Sequence, residues 1–125
     1  LLQTPHAIAE YLMPQLSHLA NERFVVLCLN SRNVLIGQAI VADGSVDQCH
    51  VDPRAVFSVA LQMEATGIVI AHNHPSGSAE PSTQDVALTR QLRQAARTLC
   101  IQLFDHIIIG ANSHVSLLNR GLLDR

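Results

Sequence analysis

His72 and His74 stand one residue apart in the stretch AHNHPSGSAEPSTQD, and Asp85 closes it. Side chains of a strand alternate between faces. Both imidazoles therefore point to one side if the strand runs on to Pro75, about 6–7 Å apart, close enough to converge on one zinc ion. Pro75 cannot donate to a ladder and stops the strand there. A loop containing Gly77 and Pro81 turns the chain back, and Asp85 falls in the first turn of the next helix. Two neutral nitrogens and a carboxylate, with a fourth position for water, form a common catalytic zinc set.

The same letters carry a plainer reading. Ser82-Thr83-Gln84-Asp85 has the S-x-x-D form of a capping box, in which Ser82 takes the amide of Asp85 and Asp85 only favours the helix dipole. A His-x-His at a strand end also occurs without a metal. The two readings are compatible, because a capped helix would hold Asp85 still.

The elements that must position these residues can be read from periodicity. Thr4-Pro5 opens a first helix as N-cap and first helical position, with Ile8, Leu12, Leu16 and Leu19 on its buried face. Pro14 is expected to kink or divide it. RFVVLCLN, Arg23 to Asn30, is apolar on both faces and reads as a central strand. Ser31-Arg32-Asn33 is a turn, Val34 to Ala42 its hairpin partner, Asp43-Gly44 a further turn, and Ser45 to Val51 a third strand. Asp52-Pro53 starts a second helix that Gly67 should end. Ile68 to Ala71 is a short buried strand. Ser82 to Cys100 is a helix with Leu88, Leu92, Ala95 and Leu99 on one face, followed by the strands IQLFDHIIIG and HVSLL. The pattern predicts one mixed α/β domain over residues 1–125, with helices flanking a mostly antiparallel sheet.

Composition narrows the function classes. The chain has 125 residues, 48% of them hydrophobic, enough for a core without staples. Its eight basic residues are all arginine and its net charge is −2, which gives no electrostatic footprint for nucleic acid. No apolar run is long enough to span a membrane, and no signal-peptide pattern is present. The chain begins at Leu1, so an upstream segment can precede it. Cys28, Cys49 and Cys100 are widely spaced and form no CxxC pair. They are expected to be small buried hydrophobes in a reducing cytoplasm.

Several motifs together carry a resemblance. His72-x-His74, seven residues to Ser82 and two more to Asp85 resembles the JAMM metalloprotease signature of MPN domains. AHNHPSG, PSTQD, LTRQL, LFDHIIIG and DPRAVFSVAL are similar, in order and spacing, to the RadC family, the bacterial branch once assigned to DNA repair. The match runs from about Thr4 to Leu123. It implies the MPN/JAB-like fold, a curved sheet with helices in a layout related to cytidine deaminases. It also implies one zinc ion held by His72, His74 and Asp85. An upstream glutamate is then implied to hold the water and act as general acid and base. Glu22, just before the first strand, fits that position best. Glu80, in the loop beside the site, is the rival, and Glu10 and Glu64 read as helix-surface residues. Ser82 corresponds to the family's oxyanion-stabilising serine.

This set suits amide hydrolysis, of a peptide or an isopeptide bond. Zinc brings the pKa of a bound water from about 15.7 toward about 7 and polarises a carbonyl. A neighbouring carboxylate can move the proton to the leaving amine, a contribution of about 10²–10⁴-fold. The expected partner is a protein or peptide substrate.

Other polar residues read as structural. Asn73 points away from its flanking histidines and is expected to fix a loop. Gly77 allows a positive φ. Asp105-His106 reads as a structural hydrogen-bonded pair. His6, His18, His50 and His114 have no partners at ligand spacing, and Arg90, Arg93 and Arg97 form a solvated helix face. Two departures from the family affect a shared substrate groove: Asp52 stands where the family has a histidine before Pro-Arg, and Asn119 lies near the position of a C-terminal glutamate. The helix-hairpin-helix region of long members lies outside these 125 residues. A second function class is a metal-stabilised, non-catalytic binding or scaffold module linked to DNA processing. The HNH letters do not make a nuclease, which would spread those residues over a ββα unit. A deaminase would need HxE and PCxxC.

Overall fold

The computed structural model describes residues 4–44 and 51–123. In chain order the elements are α1 (Pro5–Leu16), β1 (Arg23–Leu29), β2 (Leu35–Asp43), α2 (Pro53–Gln62), β3 (Gly67–Asn73), α3 (Thr83–Thr98), β4 (Gln102–Ile109) and β5 (His114–Ser116). The five strands form one sheet in the order β2-β1-β3-β4-β5. Among the described residues only the β3–β4 pairing is parallel, with α3 as its crossover; the other three are antiparallel. The mixed, mostly antiparallel α/β fold read from the sequence is the one observed.

β1 and β3 are apolar on both faces because both faces of the sheet are covered. Val26, Cys28, Ile68 and Ile70 join Val56, Phe57 and Ala60 of α2 and Leu92 and Ala96 of α3 in one core. The alternate residues Val25, Leu27, Val69 and Ala71 join Ile8, Ala9, Leu12 and Leu16 of α1 in a second. Ile70 is fully buried, so Ile70→Ala would cost about 2–5 kcal/mol. A register shift opposite Ile68 and Val69 lets β4 carry an extra residue, Phe104: Leu103 pairs with Ile68 and Asp105 with Val69. This bulge sends Phe104 and Asp105 toward α1 and returns His106 to the α3 face, where His72 lies.

Several boundaries differ from the sequence reading. Pro14 does not divide α1; it sits in the last turn, where the only carbonyl it deprives is that of exposed Glu10. α2 ends at the Met63 cap, with Glu64 at φ 55, while Gly67 already belongs to β3. Gly67 is needed there for space, since a Cβ would lie 2.3 Å from the Phe104 ring. The last strand stops at Ser116, and the chain turns through Leu117–Gly121. Leu99 is 41% exposed because α3 ends before it, and Leu19, beyond α1, is half-buried. Cys28 is buried as expected, but Cys100 is exposed: it follows the α3 cap at φ 57. The strand expected over Ser45–Val51, with Cys49 and His50, lies outside the described residues except for Val51, which is not in a strand. Among the described residues no helix is long and apolar enough to cross a membrane.

Candidate metal centre

β3 delivers the two histidines. His72 is its penultimate residue and is buried; His74 follows the strand, its N–H still donating to the Ile109 carbonyl at 2.9 Å. That bond continues the ladder one residue past β3 and keeps both imidazoles on one side. Their Nε2 atoms are 3.0 Å apart. α3 delivers Asp85 from its first turn. Asp85 Oδ1 lies 3.2 Å from His72 Nε2 and Oδ2 lies 3.1 Å from His74 Nε2. The capping box is complete: Ser82 Oγ accepts the Asp85 N–H at 3.0 Å, and Asp85 Oδ2 accepts the Ser82 N–H at 2.8 Å. The cap and the approach of Asp85 to the histidines therefore coexist, and the cap fixes the carboxylate.

Glu22, in the turn before β1, brings Oε1 to 3.4 Å from His72 Nε2. Glu22, His72 and His74 form a group whose ligand atoms lie within 4.8 Å of one another, able to hold a metal ion. Asn73 fixes the entry to β1: its Oδ1 accepts the Arg23 N–H at 2.7 Å, and its Nδ2 donates to the Asn21 carbonyl at 3.0 Å. The loop-fixing role expected of Asn73 thus falls on the segment that carries Glu22. Glu80 is elsewhere, exposed and paired with Arg120 at 2.8 Å. The Arg120 guanidinium holds its carboxyl below the usual range.

The donor set suits a cation. His74 Nδ1 lies 2.9 Å from the Ser78 carbonyl, which can only accept, so Nδ1 carries the proton and Nε2 of the neutral ring is bare. That lone pair faces a carboxylate oxygen and a second imidazole nitrogen. Such a set is stable only with a proton or a metal ion among its members. The separations of 3.0–3.2 Å are close to the roughly 3.3 Å expected between ligands of a tetrahedral ion with bonds of about 2.0–2.1 Å. The metal-free electrostatics agree. The Asp85 hydrogen bond raises the His74 pKa despite burial. Burial pushes the Asp85 carboxyl up, but its bonds to His72, His74 and the Ser82 amide outweigh this and hold it far below the usual carboxylate range.

Behind His72 the wall is built by Phe24, stacked on its ring at 5.7 Å, and by His106. Asp105 and His106 are not a side-chain pair, because they lie on opposite faces of β4. The Asp105 carboxylate takes the His106 and Leu118 N–H groups and the Ser116 hydroxyl, tying the chain after β5 to β4. Burial raises its pKa against those bonds. The His106 ring instead contacts His72 Nδ1 at 2.7 Å and Thr89 Oγ1 at 2.6 Å. Thr89 escaped the sequence reading. Its signal was the four-residue spacing from Asp85 along α3. His6, His18 and the exposed Arg90 and Arg97 are surface residues as expected, His6 paired with Glu10; Arg93 is half-buried, and His50 lies outside the described residues.

Residues 2–122 match the RadC-like JAB domain family. A UPF0758 protein of Staphylococcus aureus (strain bovine RF122 / ET3-1) is 42% identical over 120 residues, covering 96% of this chain and 53% of that protein. A UPF0758 protein of Symbiobacterium thermophilum is 40% identical over 122 residues, covering 98% of this chain and 52% of its own length. The chain spans about half the length of the curated relatives it matches. The match extends over nearly the whole chain, and the protein belongs to the family of RadC-like JAB domains.

Proposed function

We propose that the protein is a zinc-dependent hydrolase of amide bonds, peptide or isopeptide, with a protein or peptide as substrate. The observation that carries this reading is the convergence of His72, His74 and Asp85, with Glu22 as a further carboxylate against the same point. His72 and His74 through Nε2, and Asp85 through its carboxylate, would hold the ion. Zinc supplies Lewis acidity there, polarising a carbonyl and bringing water toward ionisation near neutral pH.

The remaining chemistry belongs to the chain. Glu22 accepts a proton from water as its oxygen adds to the amide carbon. It then gives that proton to the nitrogen as the C–N bond breaks, releasing an amine and a carboxylic acid, whose remaining proton passes to the amine in water. Ser82 Oγ accepts the Asp85 N–H, which leaves its own hydroxyl proton free to donate to the carbonyl oxygen as that oxygen gains charge. Phe24 and the buried rings of His72 and His106 close the floor of the site to water.

The test combines metal analysis with two variants. Wild-type protein is expected to bind one zinc ion, His74→Ala to lose it, and Glu22→Gln to keep it while cleavage of a peptide or isopeptide library falls by about 10²–10⁴-fold. A wild type that takes up no zinc from metal-replete buffer would sink the reading. A zinc-loaded protein equally inert with and without Glu22 would favour the non-catalytic binding or scaffold role.

A further inference from the structure

His72 is the most enclosed member of the cluster, and its contacts set where its proton sits. The chain of contacts starts and ends on Asp85. Thr89 Oγ1 donates its one proton to the Asp85 carbonyl at 2.6 Å, because a carbonyl can only accept. The Thr89 oxygen then has only lone pairs for His106 Nδ1, 2.6 Å away, so His106 Nδ1 must donate. His106 Nε2 is left as an acceptor in the neutral ring, and it meets His72 Nδ1 at 2.7 Å. His72 therefore carries its proton on Nδ1, and its bare Nε2 faces Asp85 Oδ1 at 3.2 Å, which closes the ring of contacts. Thr89 and His106 are both fully buried, so no water competes for these bonds.

We infer that Thr89 and His106 are positioning residues of the metal centre, fixing His72 in the Nδ1–H tautomer so that its Nε2 lone pair is aimed at the ion. The inference rests on the metal reading of the cluster but concerns two residues that touch neither ion nor substrate. An outer partner on the second nitrogen of a ligating histidine typically contributes 10–100-fold in metal affinity. Here the partner is a second histidine, whose own tautomer is in turn set by a helix hydroxyl. The same hydroxyl bonds to the backbone of Asp85, so the chain also holds the α3 ligand in register with the β3 ligand.

Two measurements test this. Metal-free protein with ¹⁵N-labelled histidine, observed by long-range ¹H–¹⁵N correlation at about pH 8, is expected to carry both His72 and His106 as Nδ1–H. An Nε2–H form at His72 overturns the inference, whether or not the protein binds metal. Zinc affinity is then measured by chelator competition on His106→Leu and Thr89→Val, each first checked for folding by circular dichroism without metal. His106→Leu is expected to weaken binding about 10–100-fold, Thr89→Val toward the lower end of that range, with Thr89→Ser restoring it. Unchanged affinity in folded Thr89→Val and His106→Leu overturns the positioning role. Should His106→Leu fail to fold, Thr89→Val, which keeps the side-chain shape and removes only the hydroxyl, decides alone. Failure of the wild type to bind zinc at all would remove the metal reading, and the tautomer measurement would still decide the order of the chain.

Discussion

Asn73 Oδ1 accepts the backbone N–H of Arg23 at 2.7 Å, joining residues 50 positions apart. With the bond from its Nδ2 to the Asn21 carbonyl, Asn73 grips the residues on both sides of Glu22. The residue between the two histidines thus aligns the acid with them from the opposite face of β3. Asn73→Ala would leave a part-buried N–H unpaired, at a cost of about 1–3 kcal/mol. The expected outcome is a lower denaturation midpoint and a loss of hydrolysis with zinc affinity nearly kept. A variant that loses zinc in proportion to activity would mean that Asn73 supports the histidines rather than Glu22.

Glu22 and Glu80 were the two rivals for the acid, and their surroundings separate them. Glu22 is half-buried against His72, while Glu80 is exposed on Arg120. Glu80→Gln should leave zinc binding and turnover unchanged, and Glu22→Gln should lower turnover by about 10²–10⁴-fold. Steady-state rates of the two variants on one amide substrate check this. Loss of activity in Glu80→Gln alone would reverse the assignment.

What the sequence revealed and what it hid have physical reasons. His72, His74, Ser82 and Asp85 were legible because they sit where strand alternation and capping rules apply locally. Glu22 was legible only through the family pattern, because it is brought in by the Asn73 clamp, which no local periodicity encodes. His106 was misread because alternation along IQLFDHIIIG breaks at the Phe104 bulge. The extra residue there puts Asp105 on the α1 face and His106 on the α3 face, the reverse of what unbroken alternation from Leu103 would give. Thr89 was missed because its meaning depends on a β4 residue beside it. The helix boundaries failed where φ-positive residues other than glycine, Glu64 and Cys100, follow the caps.

Gly110 makes a separate prediction about the site loop. A Cβ there would lie 2.4 Å from the Gly77 carbonyl oxygen and 3.0 Å from the Ala79 nitrogen. Gly77, at φ 97, and the bond from Ala111 N–H to its carbonyl at 3.0 Å seat the loop on the end of β4. That loop presents the Ser78 carbonyl that fixes His74. Gly110→Ala should therefore cost about 1–3 kcal/mol and weaken zinc binding together. Thermal unfolding with and without zinc measures both. A stability loss with unchanged affinity would mean that the loop yields without moving Ser78.

The pH dependence of stability should change sign with metal. In metal-free protein the folded His74 pKa lies above 6.5, so its contribution is complete below 6.5 and is lost as pH rises through the raised value. Asp85 is shifted below 3.8, so its contribution is complete above 3.8 and is lost only as pH falls toward the lowered value. The pair therefore stabilises most from about pH 4 to about pH 6.5 and less toward alkaline pH. Zinc requires the nitrogens unprotonated, so the increment it adds should grow with pH over about 5 to 8. Melting temperatures in EDTA and in excess zinc, taken for wild type and for His74→Ala across that range, isolate both trends. A zinc increment that does not vary with pH, or one that survives in His74→Ala, would mean that the ion sits elsewhere.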